Sequence, residues 1–295
     1  MNKYNDGTGG LTLVVGGTGK TGRRVADRLS ARGLPVRIGS RSGEPPFDWE
    51  EAATWAPAVK GVESAYVTYY PDLAFPGAAE KVRSFARTAV ANGVRRLVLL
   101  SGRNEEGALL GEQAVQESGA EWTLVRSSMF AQNFSEAFLL DAVLAGEVAL
   151  PAGDVKEPFI DVDDIADVVV AALTGPGHTG KLYEVTGPRL LTFAEVVAEI
   201  SQATGREIRY VPVSPEEYLS GMIAGGVPAD FAKELTDLFS EVLDGRSSYL
   251  SDGVKRALGR EPKDFTDYAR ETAASGVWGA APDRVSAVSV SRSDG

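Results

Sequence analysis

Residues 11–22, Leu-Thr-Leu-Val-Val-Gly-Gly-Thr-Gly-Lys-Thr-Gly, constrain the fold more than any other stretch. Five strand-prone residues run into Gly16, Gly19 and Gly22, and the segment that follows places Val25 and Leu29 on one helical face. A strand, a glycine turn and a helix N-terminus form a cradle for a diphosphate. The first glycine permits the tight turn, the second lets backbone N–H groups approach the pyrophosphate, and the third lets helix and strand pack closely. The helix dipole favours the anion. The expected ligand is a dinucleotide.

The second strand identifies which one. NAD-specific sites carry an acidic residue about 20 positions past the glycines, which binds the ribose 2′-hydroxyl. Between Asp27 and Glu44 there is neither Asp nor Glu, and Ser40, Arg41 and Ser42 stand where that carboxylate would be. A guanidinium flanked by hydroxyls suits a 2′-phosphate in charge and shape. The expected cofactor is therefore NADP(H).

The rest of the first half alternates strands and helices, which predicts a Rossmann-type doubly wound parallel sheet of the α/β class. Strands are predicted at 11–15, 35–40, 62–69, 95–101 and 121–126, with a very short one near 46–49. Helices are predicted at 20–32, 50–58, 77–92 and 107–118. After residue 130 the pattern reads as a helix over 130–145 and another over 164–173. A strand at 182–185, a helix at 192–204 and a strand at 208–213 follow, and 214–275 reads as almost wholly helical. The domain expectation is a flexible leader over 1–10 and an NADP-binding domain over 11–150, to which 158–185 returns. A smaller, mostly helical substrate lobe takes 186–280 and a frayed tail 281–295.

Composition excludes several functions. The chain has 295 residues, no cysteine, one histidine and a net charge of −11. Thiolate nucleophiles and cysteine zinc sites are ruled out, and a cytoplasmic location fits. His178 lies in a Gly-Pro-rich loop, with no G-x-S-x-G elbow to make it part of a hydrolase. The acidic balance argues against nucleic acid as a partner, and no apolar run reaches the ~18 residues of a membrane helix. Asp161, Asp163 and Asp164 fit helix capping better than metal binding, so no metal is expected.

Side chains at the carboxyl ends of the strands face the cofactor cleft. Ser101, Tyr69 and Tyr70 are its hydroxyl donors and the candidate catalytic residues, with Gly102 beside Ser101. Met129, Phe130, Asn133 and Phe134 are candidates to line a substrate cavity, together with Tyr70; helix core is the other reading of Phe130, Asn133 and Phe134. The Tyr/Lys couple common in such enzymes is missing, because no tyrosine occurs between Tyr70 and Tyr183 and no lysine between Lys81 and Lys156. The helix after the strand at 95–101 carries Glu105, Glu106, Glu112 and Gln113 instead. Carbonyl reduction relying on that couple is disfavoured. Hydride transfer to an iminium carbon needs only positioning and electrostatics, since the product is already neutral.

Gly16 to Gly22, Ser40-Arg41, the absent couple and Phe159-Ile-Asp-Val-Asp-Asp-Ile-Ala166 together resemble the NmrA-like atypical short-chain dehydrogenase/reductases. Pro46-Phe-Asp-Trp49, Leu99-Leu-Ser-Gly-Arg103, Gln132-Asn-Phe-Ser-Glu136 and Leu150-Pro-Ala-Gly153 are similar to the ergot-alkaloid reductase branch, the festuclavine and agroclavine dehydrogenases and their bacterial relatives. The resemblance implies an NADPH-dependent reductase of an imine or iminium carbon. By that resemblance Gly16, Thr18, Gly19, Lys20, Thr21 and Gly22 hold the phosphates and Arg41 the 2′-phosphate. Asp48 and Trp49 flank the adenine, and Ser101 approaches the nicotinamide. The family's usual lysine is replaced at the matching position by Ala108. A quinone or enone reductase, and a non-catalytic NAD(P)-sensing regulator, remain the alternative readings. The substrate is a small molecule and could be cationic; the sequence leaves the oligomeric state open.

Overall fold

The computed structural model describes residues 9–279. All but the last two residues of the expected leader, and all of the tail over 281–295, lie outside them. The first half runs β1 (Thr12–Val15), α1 (Lys20–Ala31), β2 (Val36–Gly39), α2 (Trp55–Val59), β3 (Ser64–Val67), α3 (Ala78–Ala91), β4 (Arg96–Gly102), α4 (Glu106–Gln116) and β5 (Glu121–Ser127). Next come α5 (Asn133–Glu136), α6 (Leu140–Ala145), β6 (Glu147–Leu150), β7 (Lys156–Glu157), α7 (Val162–Thr174) and β8 (Lys181–Val185). The chain continues through β9 (Leu191–Thr192), α8 (Phe193–Thr204), β10 (Arg209–Pro212), α9 (Pro215–Ala224), α10 (Ala229–Val242), α11 (Gly253–Leu258) and α12 (Phe265–Ala274).

Six strands pair in the order β2-β1-β3-β4-β5-β8, all parallel. This is the Rossmann-type sheet expected from the sequence. The chain leaves β1 first to one side and then to the other, so the topological switch lies between β1 and β3, where ligands of such sheets bind. One face packs Leu13, Val67, Leu97, Leu99 and Leu124 under α2, α3 and α4. The other packs Val14, Tyr66, Val98 and Val125 under α1 and α7. Strands buried on both faces explain the nearly continuous apolar runs in the sequence.

Two expectations are corrected. No strand forms near 46–49. That backbone is satisfied locally: Trp55 Nε1 donates to Asp48 O (2.7 Å) and the Asp48 N–H donates to Thr54 Oγ1 (3.0 Å), while Phe47 is buried in the core. The helix over 130–145 is broken into α5 and α6, because Ala137 is extended. The break lets Phe134 and Leu139 both bury and leaves Glu136 facing Arg24 (2.6 Å). The strands β6, β7 and β9 had no sequence counterpart; β6 pairs in parallel with β10, and β7 antiparallel with β9.

A third apolar cluster joins Phe134, Val143, Leu150, Phe159, Phe193, Val197, Phe239, Phe265 and Trp278. Helix α8 opens with a capping box in which Thr192 and Glu195 satisfy each other's backbone N–H groups. Helix α11 returns to the sheet and packs on α7 and β8. Phe134 is the hub of this cluster. Its ring meets Phe159, Phe193 and Phe265 at centroid distances of 5.9, 6.3 and 6.2 Å, and its carbonyl accepts Trp278 Nε1–H (2.7 Å). Phe134→Ala is expected to lose about 3–5 kcal/mol of unfolding free energy in urea titration. A loss below about 1 kcal/mol would mean that the aromatic cluster is not what holds α5, α8 and α12 together.

Candidate functional site

The cradle is built from close backbone approaches. Gly16 ends β1 at φ +66°, a left-handed conformation, and a Cβ on it would lie 2.7 Å from Thr68 Cγ2. The Gly16 N–H donates to Gly39 O at the end of β2 (2.9 Å), and the Gly19 N–H donates back to Gly16 O (2.8 Å). In the first turn of α1, a Cβ on Gly22 would sit 2.2 Å from Gly16 O. Helix α1 has no side-chain cap at Gly19 and no acidic residue in its first turn. Its leading N–H groups are thus free to bind an anion. Thr18 and Gly19 are exposed at the rim.

The side chains around this turn divide their work. Thr21 is buried and accepts the Tyr66 hydroxyl proton (2.9 Å), which ties α1 to β3; burial pushes the ionisation of Tyr66 upward. Lys20 Nζ donates to Asn133 Oδ1 (2.9 Å) and lies 5.6 Å from the Phe130 ring centroid. Desolvation lowers its pKa, opposed by the charge of Glu136. Asn133 also reaches Met129 Sδ (3.1 Å). Lys20, Met129, Phe130 and Asn133 are therefore brought together beside the glycine turn, with Met129 and Phe130 half-buried. Phe134 is not among them: it is wholly buried and builds core.

At the end of β2, Ser40 and Ser42 place their hydroxyls 3.4 Å apart and Arg41 is exposed. Asp48 accepts the Glu50 N–H (3.0 Å). Trp49 donates to Thr68 O (3.2 Å) and packs on Phe47, Phe85 and Tyr69. This aromatic wall stands over the ends of β2 and β3. Tyr69 is half-buried against it, and Lys81 Nζ lies 6.0 Å from its ring centroid. Tyr70 turns outward, 80% exposed.

Ser101 is only 3% exposed, and its hydroxyl donates to Glu112 Oε1 (2.7 Å). Glu112 rises from α4, one turn beyond the buried Ala108, and is clamped by Arg126 through two bonds of 2.6 Å. Glu112 is the first cause of Arg126's raised pKa. Ser101, Arg126 and Glu184 are register partners across β4, β5 and β8, so they share one sheet face. Arg103, two residues past Ser101, is buried on the same face and pairs with Glu184 (2.9 Å), Ser247 O (3.3 Å) and Tyr249 O (3.1 Å). The sequence reading did not find this charged row. Its trace was Arg126, an ion directly after the apolar pair Leu124-Val125 of β5.

A carboxyl group lies next to Gly102, where β4 ends. The Glu105 carboxyl covers the Gly102 α-carbon so closely that a Cβ there would be 1.9 Å from Oε2. The Asp72 carboxylate accepts the Ala74 N–H (2.8 Å). Burial, and then the charge of Asp72, holds Glu105 well above the usual carboxylate range. Burial raises Asp72 as well.

Glu157 on β7 is 3% exposed, and its Oε1 meets no donor among the described residues. Burial raises its pKa to about 7, against the pull of Arg103. The folded state holds this proton more tightly than the unfolded chain, whose glutamate titrates near about 4.3. Glu157 therefore costs stability as pH rises from that value to about 7. Glu157→Gln is expected to raise unfolding free energy by about 1–3 kcal/mol at pH 8, with the difference vanishing at pH 4. Equal urea midpoints at both pH values would contradict this.

Parallel sheet, open helix N-terminus and glycine cradle define a dinucleotide-binding protein of the Rossmann class. The profile of the NmrA-like family matches residues 111–269. An NAD(P)H azoreductase of Xenophilus azovorans is 35% identical over 90% of this chain and 99% of that protein. Agroclavine dehydrogenase of Claviceps fusiformis is 33% identical over 90% and 98%. The fold is shared with an NADPH-dependent quinone oxidoreductase of Escherichia coli, in complex with NADPH, at a TM-score of 0.74 and 19% identity, over 88% and 99% of the two chains. The chain belongs to the NmrA-like family of atypical short-chain dehydrogenase/reductases.

Proposed function

We propose that this protein is an NADPH-dependent oxidoreductase that reduces the C=N bond of a small iminium or imine substrate. The cofactor part is supported by the cradle, whose Gly22 position admits no Cβ, and by the NAD(P)H-using relative. Backbone N–H groups from Thr18 to Gly22 would receive the diphosphate. Arg41, with Ser40 and Ser42, would receive the 2′-phosphate, and the wall of Trp49 and Tyr69 would border the adenine. When bound, the reduced nicotinamide supplies a hydride.

One observation carries the choice of substrate: the Ser101 hydroxyl is buried and spent on Glu112 (2.7 Å). A ketone needs a proton delivered to its nascent alkoxide. Tyr70 faces solvent, and Tyr69 sits in the aromatic wall. An iminium carbon takes hydride and becomes a neutral amine with no proton donor at all. Ser101, Glu112 and Arg126 then act as a rigid support that fixes the end of β4. Lys20 and Phe130 close the side of the cleft next to the glycine turn. An agroclavine dehydrogenase and an NAD(P)H azoreductase are among the relatives.

Two measurements test this. NADPH absorbance followed across cyclic iminium salts, neutral imines, azo dyes, quinones and ketones is expected to fall fastest with iminium salts. Turnover of quinones alone would transfer the site to a different chemistry, and tight NADPH binding without oxidation would make it a sensor. Charge-assisted contacts contribute about 1.5–3 kcal/mol. Arg41→Ala should thus weaken NADPH binding about tenfold to a hundredfold and leave NADH unchanged. Equal losses for both nucleotides would refute the role of Arg41.

A further inference from the structure

Helix α10 crosses the carboxyl ends of the central strands. Near its start the Phe231 ring lies 6.1 Å from that of Phe75, on the loop after β3. Near its end Phe239 meets Phe138, between α5 and α6, at 5.5 Å, and Glu241 accepts the Glu106 N–H at the start of α4 (3.2 Å). The helix has 14 residues. That makes it about 21 Å long, twice the roughly 10 Å between β3 and β5 in a sheet. It therefore spans the ends of β3, β4 and β5, where Tyr69, Ser101 and Phe130 lie. Helix α9 folds back on α10, with Tyr218 5.7 Å from Phe239. The two helices are lightly held. Helix α9 buries no residue, and α10 buries Ala232, Thr236 and Phe239. A groove of about 200 Å³ is left between α10 and Ala74, Phe75 and Pro76.

The firm attachment comes after α10. Gly245 turns the chain at φ +90°, and Ser247, 3% exposed, docks at the end of β4. Arg103 Nη1 and Nη2 donate to Ser247 O (3.3 Å) and Tyr249 O (3.1 Å), while its Nε donates to Glu184 on β8 (2.9 Å). The guanidinium carbon lies 4.2 Å from the Tyr249 ring centroid. Asn104 Nδ2 donates to Ser247 Oγ (2.9 Å). Asn104 is the one non-glycine residue at positive φ (+57°) among the described residues, a backbone that asparagine accepts at small cost. The planar arginine fork serves two carbonyls and a carboxylate at once, which an ammonium does not. We infer that the α9–α10 hairpin roofs the substrate site, and that Arg103 and Asn104 are the residues that position it, acting through Ser247 and Tyr249. What lies beneath the roof rests on the reductase reading. The seated roof keeps water from the cleft during hydride transfer. Loosening the latch lets the hairpin lift and weakens substrate binding. It spares the cofactor, whose assigned contacts lie on β1, α1 and β2.

The experiment compares the full chain with Asn104→Gly and Arg103→Lys by hydrogen-exchange mass spectrometry, with NADP⁺ bound, and by steady-state kinetics. Asn104→Gly keeps the left-handed backbone and removes only the amide bond to Ser247. It is expected to speed exchange over residues 229–250 about threefold to tenfold, the weight of one hydrogen bond, with residues 12–31 unchanged. Arg103→Lys should speed it at least about tenfold, because charged hydrogen bonds are lost. Asn104→Gly carries the test by itself if Arg103→Lys does not fold. Ser247→Ala removes the same bond as Asn104→Gly, so the double variant should match either single one. With an iminium salt as substrate, KM for the salt should rise about threefold or more in Asn104→Gly while KM for NADPH stays unchanged. Unchanged exchange over 229–250, equal acceleration along the whole chain, or equal rises in both KM values would overturn the inference. Failure of the reductase reading looks different: the local acceleration of exchange would persist while no iminium salt oxidised NADPH.

Discussion

The contact between Gly16 O and the α-carbon of Gly22 governs the rest of this molecule. A Cβ on Gly22 would approach that oxygen to 2.2 Å, so helix α1 can start this close to the end of β1 only with glycine there. The approach aims the helix N-terminus across the switch point between β1 and β3. It also lets the buried Thr21 meet Tyr66 from the neighbouring strand, and it leaves the leading N–H groups open to an anion. Arg24 and Arg28, further along the same helix, then reach Glu136, Asp163 and Asp167 on α5 and α7. Local backbone geometry at one turn thus fixes both the anion site and the docking of the later segments.

From that turn the cleft can be followed by its chemistry. The β2 side presents Arg41 and two hydroxyls, and the β3 side an aromatic wall around Trp49. The β4 side presents Gly102 with the Glu105 carboxyl laid over it. Below the surface, Ser101, Glu112, Arg126, Glu184 and Arg103 form an ionic row across three strands. Buried charges of this kind are costly unless each is paired and hydrogen-bonded, and here each has its partner. The row holds the strand ends in place and uses up the serine hydroxyl. The reaction assigned to the site is one that does not ask for that hydroxyl.

Much of this was legible before the structure. The six sheet strands and the glycine turn follow from periodicity and glycine placement, both of which are local signals. The misread parts share a cause, which is that long-range contacts override local preference. Residues 46–49 look extended, but Asp48 is held by Trp55 and Thr54. Residues 130–145 look helical, but Phe134, Leu139 and Glu136 each have a separate destination. Phe134 read equally as cavity wall or helix core and is core, because its partners Phe159, Phe193 and Phe265 come from far along the chain. Glu105 and Glu112 read only as carboxylates on the helix after the strand at 95–101. The fold shows that one covers Gly102 and the other meets Ser101 and Arg126.

The central claim is that the opening glycine turn holds a phosphorylated nicotinamide dinucleotide. The most direct measurement is a crystal structure of the full chain grown with NADP⁺. The account predicts diphosphate oxygens hydrogen-bonded to the backbone N–H groups between Thr18 and Gly22, with the 2′-phosphate against Arg41. A nucleotide bound elsewhere, with the turn unchanged and empty, would contradict it.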